Sequence, residues 1–109
     1  MGEWQTEAEF RNNLNTSFRV VVDTPDGLQA VELILVEVTS RPSEAHEQAG
    51  MERFSVVFAG PLDFFLPQQT YGMVHPEMGE FDVFLGAIAK EEDGFKYEAV
   101  YNYFIPSAD

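Results

Sequence analysis

The chain has 109 residues, 45% of them hydrophobic and 14% aromatic, and it contains no cysteine. A chain of this size is one domain that buries roughly two-thirds of its surface on folding. The composition excludes general disorder, and the missing cysteine excludes a disulfide scaffold, a thiolate zinc site and a cysteine nucleophile. Six basic against 19 acidic residues leave a net charge of -13, which repels phosphate, so neither nucleic acid nor an anionic membrane is an expected partner. No apolar run approaches the ~20 residues of a membrane span, and Met1-Gly2-Glu3-Trp4 opens no signal peptide, so synthesis in the cytoplasm is expected. The acidity has a plain reading, solubility, and a sharper one, a docking surface for a basic partner.

Residues 3–14 predict one short helix. Thr6 and Glu9 have capping-box spacing, Phe10 and Leu14 share a face, and Trp4 is placed to fold against Phe10. Asn12, Asn13 and Asn15 weaken its end. From Phe18 onward the hydrophobic period becomes two. Residues 18–23 read as a strand with Phe18, Val20 and Val22 on one side, and Thr24-Pro25-Asp26-Gly27 as a turn. The strand 28–39 has a mixed phase, Leu33 and Leu35 against Ile34, Val36 and Val38, which predicts a bulge near Glu32 or burial of both faces in a central strand. Residues 40–52 are polar and aperiodic and predict the longest, most mobile loop.

Strands follow at 53–60, with Phe54, Val56 and Phe58 inward, and at 70–75, stopped by Pro76. An apolar connection over 62–67 separates them. Residues 80–88 form the next strand, with Phe81, Val83 and Leu85 opposed to Asp82, Phe84 and Gly86. Glu91-Glu92-Asp93-Gly94 is a hairpin turn. The last strand, 95–105, puts Phe95, Tyr97, Ala99, Tyr101 and Tyr103 on one face and Lys96, Glu98, Val100 and Asn102 on the other. The sum is a mainly β single domain spanning 1–109: one helix about 3–14, then a β body about 17–105 forming a compact antiparallel six-stranded barrel or sandwich. Closure is favoured physically, since open edges this rich in valine and phenylalanine are sticky.

Chemistry is sparse along this chain. The two histidines, His46 and His75, have no metal-ligand spacing, so no metal and no cofactor are expected. His75-Pro76-Glu77 places an imidazole beside a carboxylate; the plainer reading is a histidine bonding its own turn. Ser55 lies outside any nucleophile elbow, and Glu91-Glu92-Asp93 reads as a charged turn. The most individual stretch is Leu66-Pro67-Gln68-Gln69-Thr70-Tyr71. Its amides and phenol offer donors and acceptors on an apolar body, either as a recognition rim or as partners for backbone groups where the chain turns. Gln68, Gln69, Tyr71 and His75 are the candidate binding residues.

The pattern Glu52-x-Phe54-Ser55-Val56-Val57-Phe58-x-Gly60-Pro61, then Leu66-x-Gln68-x-Thr70-Tyr71, then His75-Pro76-x-Met78-Gly79-x-Phe81-x-Val83-Phe84-Leu85, and finally Tyr97-Glu98-Ala99-Val100-Tyr101-Asn102, resembles a small bacterial all-β domain family of unknown function. That family is often encoded near phage-tail-collar-like proteins, and the resemblance implies a role in a tail-like or surface assembly. It carries over no catalytic residue.

The expected function is therefore a non-enzymatic structural or protein-interaction module with a protein partner, self-association included. The alternative is a small-ligand-binding barrel with Gln68, Tyr71 and His75 at its mouth, marked by a deep apolar cavity there. An enzyme working through His75 and a nearby acid is the third reading.

Overall fold

Residues 5–40 and 51–104 are described by a computed structural model. The helix α1 (Glu7–Arg11) is followed by β1 (Ser17–Thr24), β2 (Gly27–Ser40), β3 (Met51–Gly60), β4 (Gln69–His75), β5 (Gly79–Glu91) and β6 (Gly94–Phe104). All strand pairs are antiparallel, and the order β1-β2-β3-β6-β5-β4 closes into a ring because β1 also pairs with β4. Three tight hairpins supply local pairing. The 61–68 connection carries the chain from β3 across one end of the ring to β4, and α1 covers the other.

The helix is shorter than the 3–14 expected. Thr6 is its N-cap, and the capping box is complete: the Glu9 N–H donates to Thr6 Oγ1 at 3.1 Å and the Thr6 N–H donates to Glu9 Oε1 at 3.0 Å. A cap at Thr6 excludes the residues before it from the helix. At the other end the Asn13 amide donates to Glu9 O at 2.8 Å, competing with the backbone, and Asn15 takes a left-handed φ of 67°. The Trp4 staple lies outside the described residues, as does most of the loop expected over 40–52, including His46.

Alternation sets the core. Phe18 and Val20, Phe54, Val56 and Phe58, Phe81, Val83 and Leu85, and Tyr97 and Ala99 are all buried. The phase break in β2 is a bulge between Leu35 and Glu37, a few residues after the Glu32 expected: Leu35 faces Phe58 and Glu37 faces Val57, leaving Val36 as the extra residue. Val31, Leu33 and Leu35 therefore point inward before the bulge and Val38 after it, while Ile34 and Val36 stay outside. Gly27, at φ 110°, ends the first hairpin turn in the conformation expected of it.

Phe10 is fully buried and plugs the α1 end, with its ring 5.4 Å from Tyr101, 5.9 Å from Phe54, 6.1 Å from Phe81 and 6.2 Å from Phe18. The Phe54 and Tyr101 rings stack at 4.9 Å. Tyr101 Oη is buried with no hydrogen-bond partner, and burial pushes the phenol pKa far up. A buried hydroxyl without a partner is destabilising. Tyr101→Phe is expected to raise stability by about 1 kcal/mol, read as a higher urea midpoint at unchanged slope. A lower midpoint would mean that the hydroxyl has a partner in solution.

Candidate functional site

The candidate residues divide between the two ends of the ring: Gln69, Tyr71 and His75 fall in one phase of β4, and Gln68 precedes it. Tyr71 and His75 both point into the ring, with Met73 between them; four residues of strand separate them by about 13 Å. They do not line one mouth. Tyr71 sits at the 61–68 end, 3% exposed, and its hydroxyl donates to Pro67 O. Beside it, the Tyr97 hydroxyl accepts the Leu66 N–H at 3.0 Å. Burial raises both phenol pKa values, the Leu66 bond partly offsetting this for Tyr97. These two hydroxyls fasten the crossover to the ring, and Leu66 is buried between them and the core.

His75 occupies the opposite end, 4% exposed, with its ring 4.2 Å from that of Phe18. Nδ1 accepts the backbone N–H of Glu77 at 3.0 Å and of Met78 at 3.3 Å. It must therefore be unprotonated, so the neutral ring carries its proton on Nε2. Nε2 lies 2.9 Å from Thr16 Oγ1, which in turn donates to Asn13 O at 2.6 Å. The imidazole thus meets Glu77 through its backbone rather than its carboxylate. It ties the β4–β5 turn to the chain entering β1, and both its nitrogens are engaged. No group of three or more His, Asp or Glu side chains is placed to hold a metal among the described residues.

Gln68 and Gln69 are exposed; Gln69 pairs with Leu85 at the 61–68 end of the ring, in the strand phase of Tyr71. Gln68 lies over Gly86, and with Phe84, Ile88, Glu98 and Val100 it lines a shallow outer groove of about 360 Å³. Phe84, Ile88 and Val100 are 55%, 54% and 56% exposed, large apolar side chains facing water from the β5–β6 pair. The sequence held the signal for this patch. Phe84 and Val100 fall in the outward phase of strands whose other phase fills the core, so neither contributes to it.

What the interior and these surfaces define is a small all-β domain: a six-stranded antiparallel sheet closed into a ring around a cluster of buried apolar side chains, with one short capped helix. The model of the family described as Domain of unknown function (DUF6916) matches residues 6–101, and the chain belongs to that family. No curated protein and no solved structure matches it. No helix of the described residues is long and apolar enough to cross a membrane.

Proposed function

We propose that this chain is a non-enzymatic protein-interaction module that docks a partner protein on the outer face of β5 and β6. The observation that carries the reading is the trio Phe84, Ile88 and Val100, each more than half exposed around one groove. Such a cluster loses hydration cost only when something covers it. The inward residues of β4 support the same reading, because Tyr71 and His75 are spent on internal hydrogen bonds. The partner class is the one the resemblance implies, a neighbour in a tail-like or surface assembly.

The test compares immobilised wild type with the double variant Ile88→Lys/Val100→Lys in capture from source-cell lysate. Both positions face solvent, so the variant is expected to keep the wild-type circular dichroism spectrum and to lose the captured protein. Equal capture by both, or capture by neither, would overturn the proposal. A wild type that dimerises through this face in sedimentation, while the variant stays monomeric, would replace the partner by a second copy.

A further inference from the structure

A second surface arises where the ring is incomplete. β2 pairs with β1 from Gly27 to Ile34, but it gains β3 only from Ile34 onward, where Ile34 faces Ala59. β3 ends at Gly60, and Pro61 has no N–H with which to continue the ladder. Among the described residues no strand pairs with the outer edge of β2 from Leu28 to Glu32.

The direction of the free groups follows from one bond. The Leu35 N–H donates to Thr16 O at 3.2 Å, on the β1 side. Bonding sides alternate along an antiparallel strand. The odd-numbered residues from Gln29 to Leu35 therefore bond toward β1, and the N–H and C=O groups of Leu28, Ala30 and Glu32 point the other way. Ala30 and Glu32 line a groove of about 560 Å³ whose other lining includes Pro61, Asp63, Phe64 and Asp93, and Leu28 lies on the same edge just before it.

Exposed edges are ordinarily blunted by lysine, proline or a bulge. This stretch has none of the three; the bulge of β2 lies beyond it, after Leu35.

Charge selects the occupant. The groove lining holds three acidic residues, Glu32, Asp63 and Asp93, and no basic one. Glu32 is already held by Ser17 and Arg19, which keep its carboxyl pKa below the usual value; Asp63 remains, with Asp93, which has Lys96 as a cationic neighbour. A second copy of the chain would bring another net charge of -13 against the same edge, which opposes self-pairing.

We infer that the Leu28–Glu32 edge of β2 binds an extended, lysine- or arginine-bearing segment of a partner protein by strand addition, the backbone of Leu28, Ala30 and Glu32 supplying the ladder and Asp63 and Asp93 meeting the basic side chains. This deepens the interaction reading above but uses a different face.

The probe is a synthetic peptide alternating lysine with valine and threonine, added to the full chain and followed by amide hydrogen exchange in NMR. The expected result is new protection of the Leu28, Ala30 and Glu32 amides, and none with the same peptide carrying glutamate for lysine. Ala30→Pro removes one outward N–H without touching the bonds to β1, and is expected to weaken the peptide about tenfold or more. Asp63→Lys/Asp93→Lys leaves the strand intact and is expected to weaken it as well, which keeps the test decisive if proline disturbs folding. No protection at these amides, protection by both peptides alike, or edge-mediated dimerisation of the chain alone would overturn the inference. Loss of lysate capture in the Ile88/Val100 variant with peptide binding intact separates the two proposals.

Discussion

Replacing Phe10 by alanine is expected to destabilise the domain by about 3–5 kcal/mol, the range for removing a fully buried phenylalanine. The ring is 0% exposed and packs against Phe18, Phe54, Phe81 and Tyr101, side chains from β1, β3, β5 and β6. The five-residue helix that presents it is too short to persist alone. Phe10 is therefore both the plug of that end and the anchor of α1. Chemical denaturation reads the loss as a lower midpoint. Phe84→Ala serves as the control, since that ring is 55% exposed, and it is expected to change the midpoint little.

The second large effect is expected at Gly94. A Cβ there would lie 2.2 Å from Gly60 O, a backbone atom that cannot step aside. The end of β3 and the β5–β6 hairpin would have to separate, which breaks the pairing of Gly60 with Phe95. Gly94→Ala is expected to cost about 3 kcal/mol or more by this overpacking, with the melting temperature as readout. Gly72→Ala is the matched control: nothing lies within 4 Å of its Cβ position and its φ is not positive. Alanine there is expected to be neutral or stabilising by about 0.4–1 kcal/mol. Equal losses at both positions would show that the close approach of Gly94 to Gly60 is not what demands glycine.

Gly94 also illustrates what a single sequence conveys. Asp93-Gly94 reads as a hairpin signal, and a hairpin is there, but its two turn residues are Glu92 and Asp93 and Gly94 is already in strand, paired with Glu91. The demand for glycine comes from Gly60, a contact that no local pattern contains. The same holds for His75. Its bonds to Glu77 and Met78 are local and were legible as a turn-binding histidine, whereas Thr16 is 59 residues away in sequence. Strand positions and their inward residues were legible because alternation is a local property repeated many times. Whether the sheet closed as a ring or stacked as a sandwich was not, since that rests on β1 meeting β4. The candidate residues Gln68, Gln69, Tyr71 and His75 were chosen by chemical type, which does not say at which end of the ring a side chain falls or what it bonds.

The ring is fastened unevenly. β3 and β6 run together from Met51 opposite Phe104 to Gly60 opposite Phe95, but β1 meets β4 only from Arg19 opposite Val74 to Val21 opposite Gly72. The molecule is thus a clasp with one short catch. Local opening favours the segment with the fewest bonds to break, so the β1–β4 seam is expected to part first while β2 stays paired to β3. In that ajar state Phe18 and Val20 would meet water, and the facing margins of β1 and β4 would lie bare.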